Sequence, residues 1–124
     1  MPTISLVGRS ILIVEDEPLI AMDIADAFRK AGARVVQVQS LKAALVAAED
    51  TTLSAAIIEH VLSDGDSTGL CARLSERKIL CVVYIGYPKL EKPLADALHA
   101  PKPTDPQLLV TMVSALLEGR PTLH

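Results

Sequence analysis

The sequence predicts an α/β protein in which a parallel sheet carries helices on both faces. Short apolar runs alternate with segments of helical periodicity, giving five β-α units along the chain. The first run, residues 11–14, is apolar at every position, which is typical of a strand that is buried on both faces. Such an alternation requires right-handed crossovers between parallel strands. The 124 residues are sufficient for one domain of this kind.

Five strands are predicted from the apolar runs. The second run contains Gln37 and Gln39, which favour an edge position that is wetter than the first strand. After the third run, residues 63–67 have the composition of a turn. The five runs occupy residues 11–14, 35–39, 55–58, 79–85 and 98–100.

Helix starts and ends are predicted from residues with suitable backbone preferences. Pro18 suits a first helical position, because its missing N–H would have no partner there, and Gly32 suits a helix end. Ser40 is suited to cap the second helix. The helix after the fourth strand is expected to be short and to begin at Pro93, and the last helix follows Asp105.

Composition indicates one folded domain and excludes several classes of protein. Half of the residues are hydrophobic and 22% are charged, a balance that excludes general disorder. The domain is expected at 9–118, with short tails at 1–8 and 119–124. The net charge of −3 argues against a nucleic-acid surface, and no apolar run reaches the ~18 residues of a membrane span. Because the N-terminus lacks the features of a signal peptide, we expect a cytoplasmic protein.

The two cysteines, Cys71 and Cys81, lack the spacing of a metal or redox motif. No set of further metal ligands lies near them in the sequence. Reduced core residues are the favoured interpretation, and a disulfide or a metal pair is the alternative.

Charged side chains follow three of the predicted strands. Glu15 and Asp16 follow the first strand, Glu59 follows the third, and Lys102 follows the fifth. The carboxyl ends of parallel strands share one edge, where ligands bind at the switch point of strand order. We therefore expect three carboxylates and one ammonium group to meet there. Such oxygen clusters suit Mg²⁺, and a nearby lysine suits phosphate or offsets the acidic charge.

Four segments carry a resemblance to a known family. They read ILIVEDEP at 11–18, IIEHVL at 57–62, VYIGY at 83–87 and KPTDP at 102–106. In this order they resemble the receiver domain of two-component response regulators, over about residues 9–118. The resemblance implies a flavodoxin-like, doubly wound, five-stranded parallel sheet in the order 2-1-3-4-5. It also implies a cytoplasmic module without enzymatic activity, partnered by a histidine kinase, a phosphotransfer protein or an effector, with a homodimer as one option.

Two positions depart from the family's pattern. The family has Asp as its phosphoacceptor, where this chain has Glu59, and Thr or Ser at the end of the fourth strand, where this chain has Ile85. The extra methylene of Glu would move its carboxylate by about 1.5 Å, and an error of ~1 Å can cost about a hundredfold in phosphoryl transfer. Ile85 offers no hydroxyl to a phosphoryl oxygen. We therefore expect a receiver that is degenerate at its phosphorylation site.

A weak magnesium site is the second implication of the resemblance. Its candidate ligands are Glu15, Asp16, Glu59 and Val61. The alternative is that Glu15 and Asp16 only cap the first helix. Glu59 either imitates a phosphorylated state or neutralises Lys102 in an inert pocket.

The remaining candidate residues concern charge pairing and partner binding. Lys102 is expected to pair with Glu59 or Asp16. Tyr84 and Tyr87 are candidates for a partner surface, because tyrosine is enriched at binding hot spots. The alternative for Tyr84 is packing beneath the final helix.

Three functions are consistent with these residues. The first is a stand-alone receiver-like module of the phosphorelay type, which is not phosphorylated normally and acts by protein-protein interaction. The second is a receiver that accepts phosphate despite Glu59. The third is a small Mg²⁺-dependent phosphatase. Such an enzyme would need an Asp nucleophile after the first strand with a second acid two residues later, and Glu15-Asp16-Glu17 does not supply an Asp nucleophile with that spacing.

Overall fold

The computed structural model describes residues 5–85, 98–101 and 105–119. Apolar runs form its strands, and segments with one apolar face form its helices. The helix expected to begin at Pro93 lies outside the described residues. The strands are β1 (Ser10–Val14), β2 (Arg34–Val38), β3 (Ala55–Glu59), β4 (Val61–Leu62), β5 (Gly65–Asp66), β6 (Leu80–Ile85) and β7 (Leu98–Pro101). The helices are α1 (Pro18–Lys30), α2 (Leu41–Ala47), α3 (Thr68–Glu76) and α4 (Pro106–Gly119).

Five strands form one parallel sheet in the spatial order β2-β1-β3-β6-β7. When only these five strands are numbered along the chain, the order is 2-1-3-4-5, which confirms the predicted doubly wound fold. β2 lies at an edge, and its residues are partly or fully exposed, whereas β1 is buried throughout. The two glutamines of the second run therefore indicated its position correctly.

The register of the strands brings three carboxyl ends to one edge of the sheet. Val14 pairs with Ile58, and Glu59 pairs with Tyr84. Glu15, which follows Val14, and Glu59 therefore leave neighbouring strands at nearly the same height. The chain passes from β1 outward to β2 and returns to β3, so the switch point of strand order lies between β1 and β3.

Apolar side chains fill both faces of the sheet. Alternate strand residues such as Ile13 and Tyr84 belong to the layer covered by α1 and α4. Their neighbours Leu12 and Val83 belong to the layer covered by α2 and α3. The strand ends at the switch point are thus held by two separate core layers.

The predicted turn after β3 is a small antiparallel hairpin made of β4 and β5. Asp64 lies at its tip, and its carboxylate accepts hydrogen bonds from the N–H groups of Leu41 at 2.8 Å and Lys42 at 3.1 Å. Because N–H groups at a helix start have no partner within the helix, these bonds cap α2. They also lower the pKa of the Asp64 carboxyl. The segment after β3 is thereby fixed to α2.

Candidate functional site

Three carboxylates meet at the carboxyl ends of β1 and β3, beside the switch point. Glu15 and Asp16 come from the end of β1, and Glu59 is the last residue of β3. One oxygen of each carboxylate lies within 4.8 Å of the other two. The structure thus brings together the acidic residues that the sequence placed after the first and third strands.

Glu15 is the innermost carboxylate of this cluster. Its residue exposure is 0%, although it directly follows a strand end. One carboxylate oxygen accepts the Glu17 N–H at 2.9 Å, and the other accepts a hydrogen bond from the Tyr84 hydroxyl. The Glu15 N–H itself donates to the Val38 carbonyl at 3.1 Å, which extends the pairing of β1 with β2. A buried charge needs such donors, because burial removes its hydration.

Tyr84 is buried in the core layer beneath α1 and α4, with 1% exposure. This position corrects the prediction that Tyr84 contributes to a partner surface, because a ring inside the core cannot be presented to another protein. Burial raises the pKa of Tyr84, and so do the hydrogen bond to Glu15 and the negative charges of Glu15, Glu59 and Asp16. The hydroxyl therefore remains protonated and serves as a donor inside the acidic cluster.

Asp16 and Glu59 form the outer, half-buried part of the cluster. Asp16 accepts the Ser63 N–H at 3.1 Å, which connects the end of β1 to the hairpin after β3. Val61, the fourth candidate ligand, lies in β4 with a side chain that is 54% exposed. Its place in the hairpin ties its backbone to the same segment as Ser63.

The other predicted site residues fall at or beyond the limits of the described ranges. Ile85 ends β6, and its backbone pairs with Pro101 of β7. Lys102 and Tyr87 lie outside the described residues, so the predicted pairing of Lys102 and the predicted surface role of Tyr87 remain predictions.

Two contacts of the cluster were not foreseen from the sequence. The first is the hydrogen bond from Tyr84 to Glu15. A weak signal for it exists, because a buried tyrosine hydroxyl normally has a polar partner and Tyr84 pairs with Glu59 on the neighbouring strand. The second is the bond from the Ser63 amide to Asp16. A backbone donor in a turn leaves no signature in the sequence.

The donor set of the cluster fits Mg²⁺. Carboxylate oxygens are its preferred protein ligands, and three of them converge here. Both oxygens of Glu15 already accept hydrogen bonds, whereas Asp16 and Glu59 stand nearer to solvent. Asp16 and Glu59 are therefore the better placed candidate ligands, with Glu15 adding negative charge behind them.

No protein-family model matches the chain, and no curated protein does. Among the described residues, no helix has the length and apolar character needed to cross a membrane.

Solved structures of similar fold include response regulator receiver proteins. A response regulator receiver protein from Sinorhizobium medicae aligns with a TM-score of 0.83 at 24% identity, over 94% of this chain and 99% of that one. A CheY-like response regulator receiver domain protein from Methanospirillum hungatei aligns with a TM-score of 0.81 at 22% identity, over 92% and 97%. The anti-anti-sigma factor PhyR from Bartonella quintana aligns with a TM-score of 0.77 at 23% identity, over 94% of this chain and 51% of PhyR. The chain therefore has the fold of response regulator receiver domains.

Proposed function

We propose that this chain is a receiver-like signalling module that binds a protein partner and is not phosphorylated in the normal way. The position of Glu59 carries the proposal. It is the last residue of β3 and belongs to the carboxylate cluster, which supports its assignment to the position of the receiver family's phosphoacceptor Asp. A glutamate there keeps the negative charge and changes the reach of the carboxylate.

The chemistry of the cluster opposes phosphoryl transfer to Glu59. The longer side chain displaces the attacking oxygen, and an error of ~1 Å can cost about a hundredfold when the reaction depends on positioning. Three carboxylates already lie together, and phosphorylation of Glu59 would replace its charge of −1 with about −2 at the same place. Both effects act in the same direction.

The end of β6 supports a fixed state in place of a phosphate-driven switch. The Tyr84 hydroxyl ties this strand to buried Glu15, and the next residue, Ile85, has no hydroxyl to bind a phosphoryl oxygen. A ligand shifts a conformational equilibrium only by the difference in its affinity for the two states. Without a phosphoryl group and without a hydroxyl that binds it, one conformation is expected to dominate.

A weakly bound Mg²⁺ is compatible with this function. Asp16 and Glu59 would hold the ion, with Glu15 behind them and Val61 as a further candidate. A bound divalent cation would offset the repulsion among the carboxylates and stabilise the folded chain by mass action.

An exposed apolar pair on α1 supports partner binding. Leu19 and Met22 are 74% and 59% exposed, and their spacing of three residues places them on one face of the helix. α1 begins at Pro18, two residues after Asp16, so this pair lies near the start of the helix that follows the acidic cluster in the chain. A histidine kinase, a phosphotransfer protein or an effector is the class of partner that we propose.

Phosphorylation by a small donor tests the proposal. The purified protein is incubated with acetyl phosphate and Mg²⁺, and the intact mass is measured. We expect no stable gain of a phosphoryl group by the wild type. The double variant Glu59→Asp with Ile85→Thr is the matched positive control, because it restores the family's residues at both positions.

A stoichiometric gain of one phosphoryl group by the wild type, lost in Glu59→Ala, would contradict the proposal. That result would instead favour a receiver that accepts phosphate through Glu59.

A further inference from the structure

Cys71 and Cys81 form a thiol pair inside the core, away from the acidic cluster. Cys71 belongs to α3 and Cys81 to β6, and their sulfur atoms are 3.0 Å apart, with the Cys81 thiol donating to the Cys71 sulfur. Their exposures are 2% and 1%, and both belong to the core layer beneath α2 and α3. Their sulfurs are thus about 1 Å further apart than those of a disulfide bond.

The surroundings of the pair make the two thiols chemically unequal. The hydrogen bond that Cys81 donates lowers the pKa of the Cys71 thiol. Cys71 also lies in the first turns of α3, where the partial positive charge of a helix start favours a thiolate. The pKa of the Cys81 thiol, in contrast, is raised by its hydrogen bond with Cys71 and by its burial. Cys71 is therefore the nucleophile, and Cys81 keeps its proton.

We propose that Cys71 and Cys81 are a peroxide-sensitive modification site that forms a reversible disulfide within the chain. The Cys71 thiolate attacks one oxygen of hydrogen peroxide, the O–O bond breaks, and the released hydroxide takes up a proton to become water. The resulting sulfenic acid is then attacked by the Cys81 sulfur. The S–S bond forms, the S–O bond breaks, and the leaving hydroxide combines with the Cys81 proton as a second water. Two thiols and one peroxide thus give one disulfide and two waters.

Access to the buried sulfurs is provided by the start of α3. Thr68 and Gly69, which precede Cys71 on this helix, are exposed. A local opening of one helical turn costs much less than global unfolding and admits a molecule as small as hydrogen peroxide. The disulfide would join α3 covalently to β6, the strand whose Tyr84 reaches the acidic cluster.

Thiol mapping of the whole chain tests the proposal. The reduced protein is treated with hydrogen peroxide in native buffer, then denatured and alkylated with N-ethylmaleimide. We expect an intact mass lower by two hydrogens, no alkylation, one cross-linked peptide pair containing Cys71 and Cys81, and full recovery of both thiols with dithiothreitol. The product should remain a monomer on a non-reducing gel.

The single variants Cys81→Ala and Cys71→Ala separate the two roles. In Cys81→Ala, dimedone should capture a sulfenic acid on Cys71. In Cys71→Ala, oxidation of Cys81 should be about tenfold slower or more.

The wild-type map decides the proposal even if a variant folds poorly. Two alkylated cysteines after peroxide treatment, a gain of oxygen without a cross-linked peptide, or a disulfide-linked dimer would each overturn it.

Discussion

Replacing Tyr84 by Phe removes one hydroxyl from the core and leaves the ring in place. In the wild type this hydroxyl donates to Glu15, whose carboxylate is fully buried. The variant leaves that carboxylate with one donor fewer at a place where water cannot readily substitute. The perturbation therefore removes a hydrogen bond with little change in apolar packing.

The size of the effect follows from the charge and the burial of the acceptor. A hydrogen bond to a charged group contributes about 1.5–3 kcal/mol to stability. The retained ring avoids the cavity that a smaller residue would create. We expect the free energy of unfolding to fall by about 2 kcal/mol. At ~4 °C per kcal/mol for a chain of this size, the melting temperature should fall by roughly 8 °C.

Urea unfolding followed by circular dichroism measures the effect. The wild type, Tyr84→Phe, Glu15→Gln and the double variant form a double-mutant cycle, and we expect a coupling energy of about 1 kcal/mol or more. Glu15→Gln keeps the length of the side chain and an acceptor oxygen, so it isolates the charge. An unchanged dependence of unfolding on urea would show that the native state keeps its compactness.

The pH dependence provides a second measurement on the same residue. The folded pKa of Tyr84 lies above the ordinary tyrosine value of 10.0, because burial and the neighbouring carboxylates oppose ionisation. Above pH 10 the unfolded chain releases the phenol proton and the folded chain keeps it. Stability from this group is complete below that pH and is lost as the pH rises, by up to about 1.4 kcal/mol per pH unit. Tyr84→Phe should lack this part of the decline.

Two results would refute the reasoning about Tyr84. One is an unfolding free energy within about 0.3 kcal/mol of the wild type, which is the usual error of additivity for independent sites. The other is a parallel decline of both proteins above pH 10. The first would mean that the bond between Tyr84 and Glu15 contributes nothing to stability, and the second would mean that folding does not raise the pKa of Tyr84.

Two further predictions concern the surface of the protein. Leu19→Ser with Met22→Ser should weaken binding of a purified partner by about tenfold or more in calorimetry, whereas Val46→Ser, at an equally exposed apolar position on α2, should not. Asp64→Asn should destabilise the protein at neutral pH because it weakens the cap of α2. The difference in melting temperature between this variant and the wild type should narrow as the pH falls below 3.8, because the folded pKa of Asp64 is lowered and the stabilisation by its charge is lost as the carboxylate is protonated. Thermal melts measure both effects, and Asp23→Asn, a change at an exposed position, is the control.

The sheet and the meeting of the carboxylates were accessible from the sequence for simple reasons. Uninterrupted apolar runs indicate buried parallel strands, and Gln37 and Gln39 marked the edge strand. Glu15 and Glu59 immediately follow or end such runs, so a parallel register was enough to place them at one edge. These inferences need only the period of a strand and the direction of the chain.

Several side-chain contacts could be identified only from the structure. The side chains of β6 alternate between the two faces of the sheet, and both faces are apolar. The sequence therefore does not show which face Tyr84 lies on. The contact of Cys71 with Cys81 depends on how α3 is rotated over the sheet. Asp64 has the composition of a turn residue, but its capping of α2 joins residues that are 23 positions apart.

The hairpin made of β4 and β5 has a practical consequence for labelling and fusion experiments. Two sets of hydrogen bonds, the fastenings, hold it in place. The Ser63 amide donates to Asp16, and the Asp64 carboxylate accepts from N–H groups at the start of α2. An insertion or a dye at its tip would release both fastenings and disturb the acidic residues that the experiment is meant to report on. Thr51, exposed in the turn between α2 and β3, offers an attachment point that spares both fastenings.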